Sequence, residues 1–186
     1  MTTTATIERA IPTGTWGIDT IHSSIGFEVK HLGISTFRGG FTDYAGTIET
    51  EDGRISRVEG TIKTDSIDIN DEQLGAHLRS PDFFDVERYP EARFVSTSIE
   101  EVEGGRYRLV GDFTLRGVTL PVELDVAVEG LGTDPGGNER LSLLAEGELD
   151  RTAYGLTWNS TLANGAAAVS ERVKLVLSVE AVRSAS

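Results

Sequence analysis

The chain contains no cysteine, which excludes disulfides, thiolate metal sites and a cysteine nucleophile. It also lacks a basic surplus: 17 Lys and Arg stand against 30 Asp and Glu, a formal net charge of −13. Nucleic-acid binders need clustered cations to neutralise phosphate, so this balance argues against nucleic acid as a partner. A polybasic membrane anchor is disfavoured on the same ground. No stretch approaches the roughly 20 apolar residues of a membrane span, and no stable membrane insertion is expected. The opening MTTTATIERAIPTGTW has neither the positive start nor the apolar run of about 7–15 residues that a secretory signal needs. The expected location is therefore cytoplasmic, and the Asn159-Ser160-Thr161 sequon reads as chance. Histidine is scarce as well. Only His22, His31 and His77 occur, without tight spacing, whereas a metal site needs three or four convergent ligands. Neither a metal nor another cofactor is expected.

What the chain does have is a period of two, the mark of half-buried strands. Between Val118 and Val128 the even positions Val118, Leu120, Val122, Leu124, Val126 and Val128 are apolar, while Thr119, Glu123, Asp125 and Glu129 lie between them. Ile25, Phe27 and Val29 alternate with Ser24, Gly26, Glu28 and Lys30. Tyr107, Leu109, Phe113 and Leu115 alternate with Arg106, Arg108, Asp112, Thr114 and Arg116. Less regular runs cover Phe37–Glu49, Ser56–Thr64, Phe94–Glu103, Leu141–Asp150 and Val173–Val182. Turn sequences such as Glu51-Asp52-Gly53, Glu103-Gly104-Gly105, Arg116-Gly117 and Asp134-Pro135-Gly136-Gly137-Asn138 separate them. Pro121 stands on the polar face of its run and marks an edge, a bulge or a strand start. One segment breaks the alternation: Asn70 or Asp71 caps a short helix carrying Leu74, Ala76, His77 and Leu78, which stops before Ser80-Pro81. Phe83 and Phe84 follow, adjacent rings that cannot both enter one core by strand alternation.

About eight or nine strands with tight turns suit a sandwich or an up-and-down barrel. The 186 residues fit one domain, expected over residues 14–182 between flexible tails at 1–13 and 183–186. A barrel of about eight strands either fills with side chains or holds one small ligand. Gly60, Gly111, Ala145 and Gly147 interrupt the inward faces and leave volume to be occupied, unless they mark bulges or taper. A cavity lined by Val, Leu, Ile, Phe and Tyr would bind an alkyl or isoprenoid chain at roughly 0.8 kcal/mol per buried CH₂.

Several blocks resemble the YceI-like family. They are Asp19-Thr20-Ile21-His22-Ser23-Ser24-Ile25-Gly26-Phe27 with Lys30-His31, the stretch from His77 to Pro90 around Phe83-Phe84-Asp85, Gly111–Thr119, and Arg151, Tyr154, Gly155 and Trp158. The resemblance implies an all-β, antiparallel, lipocalin-like barrel with one short helix. It also implies a homodimer and a polyisoprenoid ligand, an isoprenoid quinone or prenyl pyrophosphate, held for transport, storage or sequestration. Many relatives carry a signal peptide, and this sequence is expected to depart from them there.

On that reading the expected apolar lining is Phe27, Val29, Phe37, Phe41, Ile62, Phe83, Phe84, Phe94, Leu109, Phe113, Leu143, Trp158 and Leu175. His22, His31, Arg38, His77, Arg79 and Tyr89 are the candidates for headgroup contacts at the mouth, each with an ordinary structural or solvated role as its alternative. Phe83, Phe84 and Tyr89 form either a lid or an anchor for the helix. Two other functions stay open here. One is a dimeric interaction module with a filled barrel. The other is a hydrolase or isomerase using His22 and Ser23, which is weak because neighbours on a strand face opposite sides. The expected protein is not an enzyme.

Overall fold

The computed structural model describes residues 10–185. In chain order the strands are β1 (Gly14–Ile18), β2 (Ser24–His31), β3 (Ser35–Phe41), β4 (Tyr44–Glu51), β5 (Arg54–Lys63), β6 (Ile67–Asp68), β7 (Glu91–Glu103), β8 (Arg106–Leu115), β9 (Val118–Thr133), β10 (Glu139–Asp150) and β11 (Val169–Arg183), with a helix α1 (Glu72–Arg79) between β6 and β7. Alternation becomes burial directly. In β9, Val122, Leu124 and Val126 are buried while Thr119, Glu123 and Asp125 face solvent. No helix among the described residues is long and apolar enough to cross a membrane.

All pairings are antiparallel, and the sheet closes. One edge of β11 pairs with β10 throughout; the other pairs first with β2 and then, from Ala181 to Arg183, with β1. β1 and β2 therefore lie end to end as one interrupted strand. The same holds for β3 with β4, which pair with β2 and β1 in turn, and for β5 with β6. The ring thus has 8 staves in up-and-down order. Pro121 pairs with Asp112 on β8, but β10 joins the far side of β9 only from Leu124 onward. No β10 carbonyl waits for the N–H that proline lacks. Asp71 caps α1 by accepting the Leu74 N–H at 2.7 Å.

The break between β1 and β2 is bridged by side chains. The Ser23 hydroxyl accepts the Glu180 N–H at 2.9 Å and donates to the Glu180 carbonyl, replacing ladder bonds that the interruption removes. Asp19 carries a second bridge. Its Oδ2 lies 2.7 Å from Arg140 Nη1 and 2.9 Å from His22 Nδ1. Arg140 also donates to Glu180 at 2.6 Å and to Asp134 at 2.9 Å. One guanidinium so ties β10, β11, the β9–β10 turn and the break in the first strand.

One boundary needs correction. Ile11 is buried and bridges Gly53, the Pro12 carbonyl accepts from the Thr50 hydroxyl, and Arg183 belongs to β11. The expected tails at 11–13 and 183 are bonded into the fold, because Thr50 and Arg183 donate to carbonyls that lie in 12–14. The rest of the N-terminal tail, residues 1–9, and Ser186 lie outside the described residues.

Hydrogen bonds from Arg140 and His22 hold the Asp19 carboxyl well below its ordinary 3.8, and Asn138, aided by Arg140, does the same for Asp134. A carboxylate depressed in the folded state stabilises fully above its unfolded value, and that stability drains away as pH falls toward the lowered one. Asp19→Asn is expected to melt below wild type at pH 6, with the gap closing as the pH drops below about 4. Melting curves across this range check it; a gap independent of pH would contradict the assignment.

Candidate functional site

Large side chains fill one end of the barrel. Trp16, Tyr107, Leu141 and Ala181 are buried together there, and Trp16 donates its indole N–H to Thr50 at 2.9 Å. Above this plug the inward side chains leave the centre open, and a cavity of about 660 Å³ remains. That size falls within the roughly 300–1,000 Å³ of small-molecule sites. The filled-barrel alternative does not describe this interior.

The apolar residues expected from the sequence all line this space. Phe27, Val29, Phe37 and Phe41 form one wall from β2 and β3, with Phe27 6.4 Å from Phe37 and 6.1 Å from Phe41 between ring centres. Ile62, Phe94, Leu109, Phe113, Leu143 and Leu175 continue the wall around the ring. Phe83 and Phe84 enter from the turn after α1 and roof the cavity. Phe84 meets Phe41 edge-on at 5.6 Å, and Phe83 packs against Trp158 at 5.4 Å. Two adjacent rings both face inward because this turn is not a strand.

The small residues divide. Gly60 and Ala145 line the cavity, whereas Gly111 and Gly147 do not. A Cβ on Gly111 would come within 2.2 Å of the Phe94 ring, and one on Gly147 within 2.6 Å of the Glu123 carbonyl. These two glycines admit a neighbour instead of leaving a hole.

The polar candidates do not gather at one rim. His31 alone among them lines the cavity, at its exposed end. His22 belongs to the Asp19 bridge in the wall, and Arg38 pairs with Glu28 at 2.8 Å. His77 packs edge-on behind Phe83 and Trp158, its Nε2 3.0 Å from Asp82. Arg79 donates to the carbonyls of Asp65 and Ile67, holding α1 to the strand before it. Tyr89 covers Gly117. His22, Arg38, His77 and Arg79 are each committed to a structural bond, which spacing along the chain does not reveal. Asp19, His22 and Glu180 offer ligand atoms within 4.8 Å of one another, but both carboxylates already accept hydrogen bonds from Arg140. Ser23 and His22, likewise, spend their polar atoms on Glu180 and Asp19.

The sequence reading gave Arg151 no role, yet it is the one buried charge among the described residues and it borders the cavity. Its guanidinium donates to the carbonyls of Ser170 at 2.8 Å, Leu156 at 2.6 Å, Trp158 at 3.0 Å and Val169. No carboxylate among the described residues pairs with it, and burial lowers its pKa. Asn159 repeats the device, exchanging amide bonds with both backbone groups of Val169 at 2.7 and 3.0 Å. These bonds set the long β10–β11 connection, and with it Trp158, over the cavity. Leu32, Leu74, Leu78, Leu156 and Leu162 complete the mouth.

A closed antiparallel barrel, plugged at one end and hollow and apolar toward the other, defines a lipocalin-like binding fold. The comparisons narrow this. The YceI-like domain model matches residues 16–181, and this chain belongs to the YceI-like family. It is 38% identical to a UPF0312 protein of Pectobacterium atrosepticum over 164 residues, covering 87% of this chain and 82% of the relative. It is 37% identical to Protein YceI of Salmonella arizonae with the same coverage. Among solved structures, Burkholderia cenocepacia BcnA superposes with a TM-score of 0.76 at 20% identity, over 88% of this chain and 98% of that one. The YCEI protein of Campylobacter jejuni gives 0.73 at 26%, over 84% and 90%. A polyisoprenoid binding domain from Saccharophagus degradans gives 0.69 at 13%, over 93% and 100%.

Removing Arg151 takes the side-chain donor from the carbonyls of Leu156, Trp158 and Ser170, while Val169 keeps that of Asn159, a loss of about 3 kcal/mol. Arg151→Ala is expected to lower the melting temperature and to speed amide exchange over residues 156–169. Arg151→Lys is expected to recover little, since an ammonium lacks the planar fork. Unchanged exchange in that connection would refute the clamp.

Proposed function

We propose that this protein binds a long-chain polyisoprenoid lipid, an isoprenoid quinone or prenyl pyrophosphate, inside the barrel and carries, stores or sequesters it without catalysing its conversion. The single observation that carries this reading is the continuous apolar cavity of about 660 Å³, sealed below by Trp16 and open near α1. About ten buried methylenes contribute roughly 8 kcal/mol, the free energy of a micromolar Kd. At roughly 30 Å³ per carbon-sized group, the space takes on the order of twenty carbons, about four five-carbon units. Flat double bonds suit walls built from the faces and edges of Phe27, Phe37, Phe41, Phe94 and Phe113. The polar headgroup stays at the mouth, where His31 and Ser160 stand, since burying it deeper among apolar walls would cost its hydration. The Saccharophagus neighbour's description as a polyisoprenoid binding domain supports the same ligand class.

Trp158 lines the cavity while Trp16 lies below it, and the chain has 2 tryptophans. Prenylquinone added to the protein is expected to quench Trp158 emission to saturation at one equivalent, and Trp158→Phe is expected to lose most of that quenching. Ala145→Phe, which projects a ring into the hollow, should weaken binding at least about tenfold with little change in melting temperature. Retained affinity in Ala145→Phe, or solvent extracts of native-source protein without a prenyl species by mass spectrometry, would count against the proposal.

A further inference from the structure

The exposed apolar residues are unevenly placed. Of the five large hydrophobic side chains that face solvent among the described residues, Ile34 at 84%, Leu32 at 39% and Leu74 at 36% stand at the open end of the barrel, while Ile21 at 85% and Val102 at 60% lie apart from them, at the break between β1 and β2 and near the end of β7. Leu32 and Leu74 also line the cavity, so the apolar surface runs without a break from the interior out onto the rim. Leu32 and Ile34 belong to the tight turn between β2 and β3, where the Ile34 N–H bonds the His31 carbonyl at 3.2 Å. This turn has positive φ at both central positions, 54° at Leu32 and 71° at Gly33. Such turns favour Asn-Gly or Asp-Gly, and a branched apolar residue in the left-handed region is strained. Leu32 thus bears an unfavourable backbone conformation and unfavourable exposure together. The Leu32 N–H bonds the Ala168 carbonyl at 2.7 Å, which fixes the tip against the β10–β11 connection.

Resting on the ligand class proposed above, we infer that this rim docks transiently on the surface of a lipid bilayer, so that a prenyl tail passes between membrane and cavity without crossing water. The occupant follows from continuity and charge. A tail longer than the cavity leaves through the mouth over Leu32 and Leu74, and only a hydrocarbon phase receives it without exposing it. The formal charge of −13 opposes attraction to anionic headgroups. The docking is therefore apolar, and a neutral bilayer is preferred to an anionic one at low salt.

The test is co-flotation of the full chain with vesicles of phosphatidylcholine alone, and of phosphatidylcholine and phosphatidylglycerol in equal parts. Wild type is expected to float with the first and several-fold less with the second at low salt. Ile34→Thr, outside the cavity lining, should float less with phosphatidylcholine while binding farnesol from solution as wild type does. Adding Leu32→Asn should reduce flotation by about tenfold or more and hold or raise the melting temperature, because asparagine suits the left-handed position. Transfer of a vesicle-embedded prenylquinone should slow in step. Wild type that binds farnesol yet floats with neither vesicle overturns the docking, as does Ile34→Thr transferring quinone at the wild-type rate. Flotation needs no cargo, so failure to bind farnesol strikes the ligand assignment and leaves the docking measurement readable.

Discussion

Closing the sheet is the constraint on which everything else rests. A closed antiparallel ring must send every second side chain into one interior, and the number of staves sets how wide that interior is. Near the plugged end Trp16, Tyr107 and Leu141 are long enough to meet across it. Higher up the inward-facing residues are mainly Val, Leu, Ile and Phe with Gly60 and Ala145, and they touch their neighbours around the wall but leave the centre open. The hollow is thus a consequence of side-chain reach against a fixed diameter. It stays apolar because the same alternation sends the charges out.

Closure also creates the weakest place in the wall. The first stave is interrupted between β1 and β2, and the interruption faces Glu180 on the closing strand. A gap in a ladder leaves backbone groups without partners. Ser23 supplies two of the missing bonds, while Arg140 gathers Asp19, Glu180 and Asp134 around it. The residues that resemble catalytic or metal-binding groups in sequence, His22, Ser23 and Asp19, are there to close the barrel.

That contrast explains what could be read from the chain alone. The alternation of Val118–Val128 predicts β9 because burial on one face is a local property of a strand. The apolar lining follows from the same rule. The polar assignments required contacts between residues far apart, such as Arg140 with Asp19, 121 positions away, and no periodicity encodes those. Gly111 and Gly147 show the limit for volume: a missing side chain is visible in sequence, but Phe94 and the Glu123 carbonyl moving into its place are not. Arg151 stands within one of the family's sequence blocks, yet its role depends on carbonyls of an irregular connection that only the fold assembles.

The two ends of the barrel are closed by different means, and this difference joins fold to function. The plug is made mainly of strand residues, so opening it would break the wall. The roof is made of two connections, the segment carrying α1, Phe83 and Phe84, and the segment carrying Leu156, Trp158 and Leu162. Arginines hold both by donating to backbone carbonyls. Arg79 bonds Asp65 and Ile67, Arg116 bonds Phe83, and Arg151 bonds Leu156, Trp158, Val169 and Ser170. Most of these are bonds of loops and turns, outside the ladders that close the ring. A roof fixed in this way can be displaced at the expense of a few directional hydrogen bonds while the ring beneath keeps its pairing. Cargo that enters by that end therefore meets the part of the molecule whose rearrangement costs least.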